Sequence, residues 1–208
     1  VNPDDMIKQF GADTLRMYEM FMGPLDQVKA WKTQSVGGIF KFLNRVWNLF
    51  IDGDGALKAV DARITPTVER VMHTTIKKVT EDIEQMKFHT AIAALMTFAN
   101  TLADTEQVPK VAAKNFILMI SPFAPHLGEE LWQRLGNNKT LAYEAWPSFD
   151  AELAKPEMLN IAVQVNGKLR DSLEVPPDTA DSELLALAKA SAKVAVHIEG
   201  KTLVKEIV

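Results

Sequence analysis

Apolar residues recur along this chain in steps of three and four, and that spacing sets most of the expected structure. Over residues 33–51 one stripe runs Val36, Phe40, Leu43, Trp47 and Phe50, with Lys41, Asn44, Arg45 and Asn48 on the opposite face. Thr65-Pro66 opens a second stripe through Val68, Met72, Ile76, Val79, Ile83 and Met86, and Phe88, Ile92, Leu95, Ala99 and Leu102 form a third. Amphipathic helices joined by short loops predict an antiparallel up-and-down bundle. Pro109 opens the helix that runs into residues 118–135, where Ser121-Pro122-Phe123-Ala124-Pro125 breaks the rhythm. Each proline lacks an N–H and pushes its predecessor out of the α region, so one helix ends near Ser121 and another starts at Pro125. Glu129 and Glu130 then fall near its N-terminal end, Leu127, Leu131 and Leu135 line one face beside Trp132, and Gly136 closes it. This kinked pair is the expected keystone, with Trp132 buried.

Two shorter helices precede the bundle. Asn2-Pro3-Asp4-Asp5 is a helix start and Gly11 its end. Asp13 is then expected to cap a second helix over residues 14–22, closed by Gly23-Pro24, and residues 25–32 read as a connector. Gly37-Gly38 is expected to admit a close neighbour at some cost in helix stability. Asp52-Gly53-Asp54-Gly55 is a loop that opens like a calcium loop but lacks the later ligands.

After Gly136 the texture changes. Residues 141–150 are aromatic and extended, and Pro156 marks a boundary. Residues 161–165 alternate apolar and polar, Asn166-Gly167 is a strong hairpin signal, and the returning strand over residues 168–175 stops at Pro176-Pro177. Because side chains alternate along a strand, Lys168 and Arg170 are expected on one face and Leu169 on the other, toward the core. Residues 182–190 read as a helix capped by Asp181. Residues 193–199 fit either a strand or a short helix, and residues 203–208 read as a strand. The expected fold is mainly α: an antiparallel helical bundle followed by a small α+β C-terminal domain.

Composition narrows the chemistry. The 208 residues carry a net charge of -4 and no cysteine, so disulfides and thiolate metal sites are excluded and any polyanion must be held by local patches. Such patches are Lys29/Lys32, Lys41/Arg45, Lys77/Lys78, Lys110/Lys114 and Lys168/Arg170. No apolar run is long enough to span a bilayer. His126 and Glu129 stand three apart without a third ligand, and neither a glycine-rich phosphate loop nor an exposed-nucleophile motif is present. The chain starts Val1-Asn2-Pro3, which suggests a piece of something longer.

Five segments carry a resemblance: VNPDDMIKQFGADTLRMYEMFMGPL at the start, FKFLNRVW at 40–47, SPFAPHLGEELW at 121–132, IAVQVNGKLR at 161–170, and EGKTLVKEIV at the end. Together they resemble the C-terminal portion of bacterial leucyl-tRNA synthetases, class I aminoacyl-tRNA synthetases, over nearly the whole chain. The proline kink is shared with valyl and isoleucyl enzymes, whereas the opening segment and the VNGKLR hairpin look leucine-specific. The missing cysteines argue against an isoleucyl zinc site, and the missing heptad run against a valyl coiled coil.

The resemblance implies three parts: linker helices over 1–32, an anticodon-binding bundle over 33–150, and a C-terminal tRNA-contacting domain over 156–208, shortened by its last strand. It favours the helical reading of 193–199. It implies that the Lys-Met-Ser-Lys-Ser loop, the His-Ile-Gly-His-type motif and the editing domain belong to the rest of the parent enzyme. No catalytic residue, metal or cofactor is then expected in this stretch, while the parent uses ATP and Mg. The expected partner is tRNA(Leu), with no DNA and no membrane, in a cytoplasmic monomer. Lys41 and Arg45 on the bundle, and Lys168, Arg170, Lys201 and Lys205 in the small domain, are the candidate tRNA contacts, because Lys and Arg position phosphates without reading sequence. A helical scaffold without RNA binding is the rival reading, and it leaves the Lys168/Arg170 hairpin unexplained; a hydrolase or metalloenzyme is a third.

Overall fold

Helix boundaries fall where caps and breakers stand. In the computed structural model, which describes residues 1–155, 158–177, 179–201 and 203–208, Asn2 accepts the Asp4 N–H at 3.0 Å to start α1 (Pro3–Phe10), and Gly11 ends it at φ 87°. Helix α2 (Ala12–Phe21) begins two residues earlier than expected. Helix α3 (Thr33–Phe50) follows, and then Thr65 Oγ1 caps α4 (Pro66–Glu84) through the Val68 N–H. Helices α5 (Phe88–Ala103) and α6 (Lys110–Ile120) lead into the kink, and Pro125 opens α7 (Pro125–Arg134). The chain divides into two compact units, Val1–Ala154 and Lys155–Val208. The proposed boundary residue Pro156 lies outside the described residues.

One continuous core fills the first unit. Trp132 is 2% exposed and sits among Phe50, Phe98, Phe116 and Phe123, all fully buried. Its indole N–H donates to the Lys139 carbonyl at 3.1 Å, which satisfies the one polar atom that burial would otherwise strand. Gly128 permits the tight fold-back: a Cβ there would stand 2.9 Å from the Ser121 Cβ and 3.1 Å from its Cα. The α4 and α5 stripes are buried as spaced except at the turn between the helices, where Ile83 and Phe88 are half-buried and Met86 leaves the helix, adopts φ 56° and is exposed.

The phase of α3 and the role of Gly37-Gly38 differ from expectation in this unit. The buried line of α3 is Val36, Ile39, Leu43, Val46 and Phe50, so the stripe is rotated. Phe40 is 40% exposed and meets Phe10 edge-on at 5.9 Å, while Arg134 stacks over Trp47 at 5.6 Å. Three-four spacing fixes a helix but leaves its phase to the neighbours, and α1 and α7 cover this flank. Gly37 and Gly38 face open space, since no atom lies within 4 Å of a Cβ built at either, so no neighbour approaches closely there. Asp52, at the calcium-like loop, uses its Oδ1 to accept the Asp54 and Ala56 N–H groups, a local turn. The aromatic 141–150 segment begins with a 3-10 turn (Leu141–Tyr143) and then runs without regular structure. It is tied to α4 by Trp146 donating to Thr80 Oγ1 and Asp150 N–H donating to His73 Nδ1.

In the second unit β1 (Leu159–Val165) and β2 (Lys168–Val175) form an antiparallel hairpin whose turn residues Asn166 and Gly167 both take positive φ, 53° and 73°. Helix α8 (Asp181–Ala190) starts at Asp181, so Ala180 holds the cap position that Asp181 was expected to fill. Helix α9 (Ala192–Ile198) takes the ambiguous segment. Residues 203–208 form no strand, contrary to expectation. Among the described residues the sheet has only β1 and β2, and the tail is held by a Glu206–Lys189 ion pair at 2.6 Å rather than by a ladder.

Candidate nucleic-acid interface

The polar face of α3 is where the sequence placed it. Lys41, Asn44, Arg45 and Asn48 are all exposed, on the side away from the buried line. Lys41 and Arg45 are four apart and therefore neighbours on the helix surface. Among the described residues neither has a carboxylate partner within salt-bridge distance. The Arg45 guanidinium lies 5.6 Å from the Phe42 ring, which stiffens it without neutralising its charge.

The small-unit candidates are arranged differently from expectation. The ladder pairs Gln164 with Leu169 and Val163 with Asp171, which leaves Arg170 as an extra residue, a one-residue bulge. A bulge inverts the alternation beyond it. Leu169 is consequently 64% exposed instead of pointing into the core, and Arg170 is half-buried with its Nε shielded and without a partner among the described residues. Lys168 pairs with Val165 and is exposed. Lys168 and Arg170 thus do not share one exposed face by simple alternation. Lys201 donates to the His197 carbonyl at 2.9 Å, at the C-terminal end of α9, and Lys205 is exposed on the tail.

Beside β2, Asp171 ties the sheet to the α8–α9 junction. The Ser191 hydroxyl donates to it at 2.5 Å and Lys193 Nζ at 3.0 Å. The Ser191 hydrogen bond first, then that from Lys193, holds its carboxyl down at about 2.

Sequence reasoning missed the polar joint of the first unit. Asp13 does not cap its own helix. Its Oδ2 accepts the Leu127 N–H at 2.8 Å, and its Oδ1 meets His126 Nδ1 at 2.7 Å and the His126 N–H at 3.4 Å. These are free N–H groups of the first turn of α7, whose cap position is Ala124, a residue without a capping side chain. A carboxylate from α2 therefore caps α7 from 113 residues away in sequence. Glu129 and Glu130, expected near that helix start, face elsewhere. Glu129 accepts from the Thr140 hydroxyl and the Leu141 N–H, which in that order hold its carboxyl below the usual range, and Glu130 pairs with Arg134. His126 and Glu129 thus serve different partners, and the described residues contain no group of three metal-ligating side chains.

What these groups offer a ligand is cationic and hydrogen-bonding contact, suited to a phosphate backbone. Among the described residues no helix is long and apolar enough to cross a membrane.

Comparison with known proteins agrees with this chemistry. Residues 67–185 match the family described as the anticodon-binding domain of tRNA ligase. The chain is 44% identical over 209 aligned positions to leucine–tRNA ligase 1 of Rhizobium johnstonii, covering all of this chain and 25% of that protein. Among solved structures it is similar to a leucyl-tRNA synthetase, agnB2 of Agrobacterium radiobacter K84, determined as a ternary complex with tRNA and LeuAMS. The TM-score is 0.73 at 28% identity, over the whole of this chain and 29% of that one. The chain thus spans about a quarter of the length of these relatives.

Proposed function

Since the chain belongs to the anticodon-binding domain family of tRNA ligases, we propose that it is the tRNA-holding part of a leucine–tRNA ligase. The observation that carries this reading is the 44% identity to a leucine–tRNA ligase along the entire chain. The parent enzyme would use ATP and Mg to join leucine to tRNA(Leu) in the cytoplasm, as a monomer, with adenylate chemistry performed elsewhere in its sequence. This stretch supplies position: a stiff bundle presenting Lys41 and Arg45, and a small domain presenting Lys168, Arg170, Lys201 and Lys205. The proposed functional division is 1–32 as linker helices, 33–150 as bundle and 156–208 as C-terminal domain. Helices α1 and α2 nevertheless pack within the same compact unit as the bundle.

The test is retention of a tRNA(Leu) transcript by the purified chain across a salt series. Binding is expected to weaken with salt, and Lys41→Ala with Arg45→Ala to flatten the log K against log salt slope by about 1–2 units, somewhat under one per lost phosphate contact. The loss is expected to be equal for unrelated tRNAs, because phosphates carry no sequence. Absence of tRNA retention at low salt would return the chain to the scaffold reading.

A further inference from the structure

Outside the cationic face, α3 borders a cleft of about 400 Å³ between itself, α1–α2 and the start of α7, lined by Phe10, Phe40, Leu43, Asn44, Trp47 and His126. We propose that this cleft takes an unpaired nucleobase of a bound RNA; the proposal rests on the RNA-binding reading above and names a site for it. The volume lies in the range of small-ligand sites. The walls are aromatic: the exposed Phe40 ring, held edge-on by Phe10, and Trp47, fixed by Arg134 on one side. Preformed ring faces are what a splayed base stacks on.

Two polar groups stand at the cleft to meet a base edge. Asn44 donates one amide N–H to the Phe40 carbonyl at 2.9 Å, leaving its Oδ1 and second N–H for a ligand. His126 faces Asp13 through Nδ1, and since a carboxylate only accepts, Nδ1 carries the proton and Nε2 is the ring nitrogen left for a ligand. Charge fits as well. Asp13 is the carboxylate in the lining, and its oxygens are turned to the first N–H groups of α7 and the His126 ring rather than to the cationic side of α3. Lys41 and Arg45 each follow a cleft residue, Phe40 and Asn44, by one position, about 100° further round the helix. A base in the cleft therefore has cations beside it for its own phosphodiester. An apolar peptide side chain would leave Asn44 and His126 unmatched.

The experiment compares the 208-residue chain with Asn44→Trp, which fills the cleft from an exposed helical position, and Phe40→Leu, which removes a ring but keeps bulk. The probes are a labelled ten-nucleotide single-stranded RNA and a blunt ten-base-pair RNA duplex, with circular dichroism confirming the fold of each variant. Both variants are expected to weaken single-strand binding about 5- to 100-fold, the range for one lost stacking partner, and to change duplex binding less than twofold. Equal losses on both probes, or no loss on either, would overturn the base site while leaving RNA binding intact. If the unaltered chain binds neither probe nor a tRNA transcript, the RNA reading itself fails, and the base site with it.

Discussion

The two units solve the burial problem with unequal means. The first buries whole stripes from α2 through α7 into one core, closed by Trp132, Phe116 and Phe123. In the second, among the described residues, only Val175 and Val194 are buried hydrophobics, and α8 buries none of its residues. A core of that size gives little hydrophobic stabilisation, as expected for about fifty residues. Polar links take a larger share there: Asp171 to Ser191 and Lys193, and Glu206 to Lys189. The first unit should therefore respond most to lost volume, the second to lost charge.

The largest expected effect is Trp132→Ala, which should cost the first unit about 3–5 kcal/mol, the range for a buried aromatic. A denaturant titration followed by helical circular dichroism measures it, and an unchanged midpoint would mean that the packing around the kink is not what holds this unit. Next comes Asp13→Ala, at about 1–3 kcal/mol, because it strands the His126 and Leu127 N–H groups at the start of α7. Asp13→Asn keeps an acceptor and should recover part of the loss; hydrogen exchange at those two amides reports it directly. Gly37→Ala should act in the opposite direction and stabilise by about 0.5–1 kcal/mol, since a Cβ there meets nothing and the position lies inside α3. A destabilised Gly37→Ala chain would indicate an unseen contact on that surface.

The smallest effect tests the charge side. The Asp171 carboxyl is held at about 2, below the ordinary 3.8. A depressed folded value contributes stability that is present above pH 3.8 and is lost as pH falls through about 2. NMR titration of the Asp171 side chain should show this midpoint, and Ser191→Ala should move it up. A midpoint near 3.8 in the unaltered chain would remove the polar link from the account of the second unit.

Much of this molecule was legible without coordinates, because the signals were local. Proline and glycine set the bounds of α1, α4 and the α6–α7 kink through their own dihedrals and missing N–H groups. Three-four spacing located the bundle helices, and Asn166-Gly167 the hairpin. The exposed face of α3 with Lys41 and Arg45 followed from the same periodicity. The four candidates in the small unit were not resolved in this way. A bulge at Arg170 depends on how two strands settle into register, and no pattern of residues 168–175 announces it.

Tertiary structure decided the rest, for one physical reason: a group's partner can lie anywhere in the chain. Asp13 looked like a cap for its own helix, since sequence offers only neighbours as acceptors and donors. Folding brought it instead to α7, whose Ala124 cap position supplies no acceptor. The phase of α3 was likewise settled by what lies against it, which turned Phe40 and Trp47 out of the core and made them the walls of a cleft. Dihedral preferences and periodicity belong to the sequence; helix phase, remote caps and strand register belong to the packing, because their free energies arise between segments that the sequence keeps apart.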